Sequence, residues 1–215
     1  MRLHAIPHST NVERVALALG LKGVEVDEWV EHDPADRSAL RALSGQDLVP
    51  VLEQNGHVRF DSMPIVAWID ETWPQPPLYP TDPAARREVE GFVTFFNFVW
   101  KVPPNAMQAE LERPDPDPAR LAAWAAQLRG WQHGFEALLH GRDFLFGDAP
   151  GAADVCAYPF LKFAVSSEPD DDDLFHGILI EHLALDGGFP RLEAWIRRMS
   201  ALPMAPGWPL QPRRG

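Results

Sequence analysis

Two regimes of apolar spacing follow one another along the chain, short strand-like runs first and long helical stripes after them. Leu3-His4-Ala5-Ile6 is apolar-rich and stopped by Pro7, which fits a central strand. Val12, Val15, Ala16 and Leu19 then recur at helical spacing, with Gly23 as the expected C′ residue. Thr10-Asn11-Val12-Glu13 has the form of a capping box, so Thr10 is the expected N-cap and Ser9 lies just ahead of the helix. The alternation from Val24 to Val30 predicts a second strand, and Leu40 with Leu43 a short helix broken by Ser44-Gly45-Gln46-Asp47. Pro50-Val51-Leu52 and Val58-Arg59-Phe60 read as a hairpin across Asn55-Gly56, a dipeptide that suits the positive φ angles of a two-residue turn. Ser62 is placed to cap the next helix, Pro64 is tolerated in its first turn, and Ile65, Trp68 and Ile69 face inward. The order is β-α-β-α-β-β-α.

Pro74, Pro76, Pro77, Pro80 and Pro83 then punctuate a stretch that can be neither helix interior nor inner strand. Asp82-Pro83 reads as an N-cap followed by proline at N1, and Val89, Phe92, Val93, Phe96, Val99 and Trp100 hold helical period until Pro103-Pro104, the expected stop. Asp117-Pro118 repeats the start signal ahead of a stripe from Leu121 to Leu138. Shorter helices are expected over Ala152 to Phe163, Leu174 to Leu185 and Arg191 to Met199. The reading is therefore an α/β domain over 1–76, a proline-rich linker over 77–83, an all-α domain over 84–203 and an irregular tail over 204–215.

Composition narrows the function classes. A formal charge of −12 over 215 residues argues against a sequence-independent grip on nucleic acid or an anionic membrane. No apolar run is long enough to cross a bilayer, and the start lacks the apolar core of a secretory signal, so a cytoplasmic protein is expected. The acidic run Asp170 to Asp173 reads as solvated loop. Cys156 is the single cysteine, which excludes a C-x-x-C redox or zinc site and an internal disulfide. The eight histidines are scattered, and no metal site is expected.

Two stretches carry candidate chemistry. In Leu48-Val49-Pro50-Val51-Leu52 the proline belongs at a strand's first residue and often follows a cis bond, which would turn the carbonyl and N–H of Val49 outward to pair with an extended, peptide-like ligand. A plain loop proline is the other reading. Asp61-Ser62 stands at a helix N-terminus, where backbone donors and the helix dipole attract an anion.

The V-P-V-L run, the hairpin and the acid-Ser-x-x-Ile segment together resemble the N-terminal half of the glutathione S-transferase family, whose first domain is thioredoxin-like. Pro7-His8-Ser9-Thr10-Asn11-Val12-Glu13-Arg14-Val15 is similar to the entry motif of its serine-type classes, and Phe146 to Asp154 to the box of its helical domain. The resemblance implies a thioredoxin-like domain followed by an all-α domain, glutathione or a related small thiol as co-substrate, a small hydrophobic electrophile as partner, and a homodimer. It implies Ser9 as the hydroxyl that stabilises the thiolate, with Asn11 as a second donor to the sulfur and Arg14 as nearby positive charge. Val49 and Pro50 would receive the cysteinyl unit, Ser62 the γ-glutamyl carboxylate, Asp61 that unit's ammonium and Gln46 the glycyl carboxylate. Asn97, Trp100 and Lys101, with Phe95 and Phe98, would face the electrophile, although aromatics on such a helix are core by default. Gln46 stands where the family often has a lysine or arginine, and Gly151 where it has serine or threonine. A thiol is mostly protonated at neutral pH, and lowering its pKa by two units means stabilising the thiolate by about 2.7 kcal/mol. Conjugation of an electrophile is the leading reading. A glutathione-dependent isomerase or dehalogenase, and a non-catalytic binding or interaction protein, are the alternatives.

Overall fold

The computed structural model describes residues 1–167 and 171–210, which form two units, 1–79 with 202–210 and 80–201. In the first unit β1 (Arg2–Ala5), α1 (Thr10–Lys22), β2 (Glu28–Glu31), α2 (Ser38–Ser44), β3 (Val51–Gln54), β4 (His57–Phe60) and α3 (Ser62–Thr72) follow in the expected order. The sheet runs β2-β1-β3-β4, with β1 parallel to β2 and β3 antiparallel to both its neighbours. Asn55 and Gly56 close the β3–β4 hairpin with φ of 51° and 76°, as a turn with two positive φ angles requires. Gly23 ends α1 at φ 64°, and the strand expected over Val24 to Val30 shortens and shifts to β2 at Glu28–Glu31.

α1 and α3 pack on each other, burying Val12, Val15, Leu19, Ile65 and Ile69 along with Leu3, Ala5, Val51 and Leu52 of the sheet. Each of the valine, leucine and isoleucine side chains contributes about 1.5–3 kcal/mol. Asp70 on α3 accepts from Lys22 Nζ at 2.6 Å and from the amides of Leu78 and Tyr79 at 2.7 and 3.1 Å, which ties the proline-rich stretch down. The C-terminal segment is not loose. Ala205 N–H donates to Ala16 O at 2.9 Å, Trp29 Nε1 to Pro206 O at 2.8 Å, and Gly20 lies so close to Pro203 that a Cβ there would sit 2.2 Å from its carbonyl oxygen. Residues 211–215 of the expected tail lie outside the described residues.

The second unit holds α4 (Pro83–Phe95), a π-helical turn (Phe96–Trp100), α5 (Val102–Leu111), α6 (Pro118–Leu138), α7 (Ala152–Leu161), α8 (Leu174–Leu183) and α9 (Pro190–Ser200). Asp82 and Asp117 cap α4 and α6 with proline behind them, as expected. Pro103-Pro104 is not a stop. Both prolines fall in the first turn of α5, where missing N–H groups are harmless, so they open a helix. The chain swings into it through the π turn, in which Lys101 N–H reaches Phe96 O at 3.1 Å.

Phe96 and Trp100 stack at 4.4 Å and meet Phe160 edge-on in the core. Asp154 accepts from the amides of Leu145 and Gly151 and from Trp195 Nε1 at 2.8–2.9 Å, and burial pushes its carboxyl above the ordinary range against those bonds. Over its described residues the acidic run is loop, as read, with Asp172 and Asp173 exposed and the Asp171 side chain turned inward. Asp170 lies outside the described residues, Asp171 is buried against His176 Nδ1 at 2.7 Å, and Asp173 caps α8.

Candidate functional site

Strand register gathers the candidate residues of the first unit at one edge of its sheet. β1 ends there, β3 begins there and β4 ends there, so continuing the register sets Val49 level with Ile6 on one side and Ser62 on the other. α1 and α3 both start at this edge with their N-termini, the positive ends of their dipoles. The Val49–Pro50 bond is cis, and Pro50 is buried ahead of β3.

Ser9 is itself the N-cap of α1, its Oγ accepting from Val12 N–H at 3.4 Å, and Thr10 is the first helical residue. This corrects the expected capping box: Glu13 is buried, and Thr10, also buried, packs as helix. Ser9 is half-buried and retains a hydroxyl hydrogen to donate. His8 before it takes φ 62°, a left-handed conformation that turns the chain from Pro7 into the helix.

Arg14, on the next turn of α1, is buried and joins the two helix starts. Its Nη1 donates to Asn11 Oδ1 at 3.2 Å and to Ser62 Oγ at 3.1 Å, and Ser62 Oγ lies 3.5 Å from Asn11 Oδ1. Asp61 is exposed at φ 64°, ψ 128°, and its side chain makes no cap bond to α3. At the first two positions of α3 stand Ser62 and Met63, and at the third Pro64, which has no N–H.

Gln46 does not present its amide outward. Its Nε2 donates to Leu48 O at 2.8 Å and its Oε1 accepts from Leu48 N–H at 3.0 Å, so the side chain closes its own loop. Beside it Arg41 pairs with Asp47 at 2.5 Å, and Arg37 donates to Asp47 O at 3.3 Å.

The electrophile candidates belong to the second unit. Trp100 is corrected from a substrate contact to core, since it has no exposed surface and stacks on Phe96. Asn97 is half-buried in the π turn, and Lys101 Nζ lies 4.8 Å from the Phe160 ring centre. An apolar cavity of about 430 Å³, which the sequence did not announce, opens between α4 and α6 with Phe92, Phe95, Trp131, Phe135, Leu138 and Phe146 in its wall. Among the described residues no group of three or more His, Cys, Asp and Glu could hold a metal, and no helix is long and apolar enough to cross a membrane.

Two family models match this arrangement in chain order: the glutathione S-transferase N-terminal domain over residues 3–77 and the C-terminal domain over 118–198. The chain belongs to the glutathione S-transferase family. A maleylpyruvate isomerase of Ralstonia sp is 30% identical over 175 residues, spanning 76% of this chain and 82% of its own. Glutathione transferase GST 23 of Zea mays is 32% identical over 197 residues, 90% of this chain and 82% of its own. Among solved structures, the tau-class glutathione S-transferase of mango superposes with a TM-score of 0.77 at 21% identity, covering 93% of this chain and 88% of its own. A holo structure of maleylpyruvate isomerase, a bacterial zeta-class member, superposes at 0.70 and 24% identity over the full length of both chains. The fold expected from the sequence, thioredoxin-like then all-helical, is the fold observed, and the chain is an enzyme of this family's type with glutathione as co-substrate.

Proposed function

We propose that the sheet edge of the first unit binds glutathione in extended form and holds its sulfur as thiolate for attack on a small hydrophobic electrophile. Ser62 and the first amides of α3 take the γ-glutamyl carboxylate, Asp61 takes the ammonium beside it, and Val49, ahead of Pro50, pairs with the cysteinyl unit. Ser9 donates to the sulfur at the positive end of α1, with Asn11 as a second donor. The bound thiol is the nucleophile, and these residues bind, orient and keep it ionised. The observation that carries this reading is the convergence of two helix N-termini on one sheet edge, with Ser9 at one and the buried Arg14–Ser62 pair at the other. Gln46 is the weak member of the set, because its amide already serves Leu48. Asn97 and Lys101 are proposed to contact the electrophile. The apolar wall between α4 and α6 and, separately in the first unit, the exposed Phe60 on β4 each fit self-association as a homodimer, as the family generally forms. A cytoplasmic location belongs to the same proposal.

Comparing glutathione with cysteinylglycine, which lacks the γ-glutamyl unit, tests the assignment. Glutathione should bind at least ten-fold more tightly, about 1.4 kcal/mol, and equal affinities would overturn it. A second reading, cis–trans isomerisation of a maleyl-type diacid, is favoured by the similarity to maleylpyruvate isomerase. In it the sulfur adds to the double bond, the bond rotates while it is single, and elimination returns the thiolate. Turnover of such a diacid without net loss of thiol supports that reading, and stoichiometric consumption of thiol supports conjugation.

A further inference from the structure

Arg14 is 1% exposed and Ser62 7%, so their contact is sheltered from solvent. An arginine is a donor only, with no lone pair and no accessible deprotonated form. Ser62 Oγ has one hydrogen and two lone pairs. With Arg14 Nη1 on one lone pair at 3.1 Å, its hydrogen is excluded from that direction. Among the described residues that hydrogen is directed at Asn11 Oδ1, at 3.5 Å the long limit of a hydrogen bond, and this oxygen also accepts from the same Nη1 at 3.2 Å. Arg14 and the Ser62 hydroxyl thus share one acceptor, and the Ser62 bond to it is the longer and weaker of the two.

We propose that Arg14 is a positioning residue that keeps the Ser62 hydroxyl as a donor toward an incoming carboxylate and sets a buried positive charge one oxygen atom behind it. The inference rests on the reading in which Ser62 receives the γ-glutamyl carboxylate of glutathione. It separates two roles on α1: Arg14 acts on affinity through Ser62, and Ser9 acts on the sulfur. Without Arg14, the Ser62 hydrogen turns to the released Asn11 oxygen, and the carboxylate must displace it.

The test is a double-mutant cycle on glutathione affinity with the full chain, using Arg14→Met, Ser62→Ala and the pair, each checked for folding by circular dichroism and thermal unfolding. Arg14→Met should weaken glutathione binding ten-fold or more, while kcat at saturating glutathione and the pKa of the bound thiol change less than two-fold and 0.3 unit. In the Ser62→Ala background the same substitution should cost less than two-fold. If Ser62→Ala weakens binding and Arg14→Met weakens it by the same factor again, Arg14 does not act through Ser62 and the inference alone is overturned. If Ser62→Ala binds glutathione as tightly as the parent, the reading of Ser62 falls and takes this inference with it. Should Arg14→Met not fold, Arg14→Lys carries the same cycle: the shorter side chain keeps the charge but reaches the two oxygens less well, and a smaller loss that vanishes in the Ser62→Ala background is expected.

Discussion

Three helices of the all-α unit, α4, α6 and α8, and one helix of the thioredoxin-like unit, α3, start behind an aspartate, and the two units use that residue in opposite ways. Asp82, Asp117 and Asp173 sit at φ between −82° and −64° and turn their carboxylates onto the first amides of their own helices, at 2.8 to 3.4 Å. Asp61 sits at φ 64°, makes no cap bond, and stays exposed at the head of α3. A capped helix start has spent its donors on its own side chain. The start of α3 has no such side-chain cap, and in the proposed function its amides receive a carboxylate brought from outside and its own carboxylate a cation. The cost of that arrangement is a residue other than glycine held at positive φ, and such strain gathers at sites of binding. The same N-cap residue therefore closes a helix start in one unit and, under the proposed function, leaves one open to a ligand in the other.

The sharpest separation of the two uses is energetic. Asp154→Ala removes the acceptor of three buried donors in the helical unit and should cost about 3–5 kcal/mol of that unit's stability, read by urea denaturation. Next, Asp117→Ala should lower stability by about 1 kcal/mol and leave glutathione affinity unchanged. Asp61→Gly should do the reverse, relieving the positive φ and raising stability by up to about 1 kcal/mol while weakening glutathione several-fold. An Asp61→Gly protein that is less stable and binds glutathione normally would place Asp61 with the closed caps.

The smallest effect concerns pH. His32 Nε2 meets His4 Nδ1 at 2.7 Å, and His4 Nε2 meets Glu53 at 2.7 Å. Burial first, and then the nearby His4 and Arg37, lower the His32 pKa from its ordinary 6.5. The unfolded chain thus binds more protons than the folded one between the depressed value and 6.5, and stability falls as pH drops through that window. His32→Gln should flatten this slope in pH-dependent thermal unfolding, because no imidazole is then left at this position to take up the proton.

The elements that were legible carry local signals. In the first unit Asn55-Gly56 carries its own turn and Gly23 its own cap, and in the second Asp82-Pro83 and Asp117-Pro118 each mark a start from two residues. The failures have the opposite character. A Thr-x-x-Glu signature reads as a capping box until tertiary packing buries both ends, which moves the cap of α1 back to Ser9. Pro103-Pro104 stops a helix or opens one depending on a π turn that no residue pattern announced. The hydrogen bond from Arg14 to Ser62 joins residues 48 positions apart, and only the packing of α1 on α3 creates it. Gln46 could be read as a polar loop residue, but not as one whose amide closes on Leu48.

The claim at the centre of this account is that Ser9 at the start of α1 keeps the bound thiol ionised. The direct measurement is thiolate absorbance of bound glutathione across pH, for the parent and for Ser9→Ala. The parent should hold the thiol pKa about two units below that of free thiol, and Ser9→Ala should return it by at least one unit, about 1.4 kcal/mol, with affinity little changed. The same thiolate titration in both proteins would show that Ser9 only caps the helix, and would contradict the account.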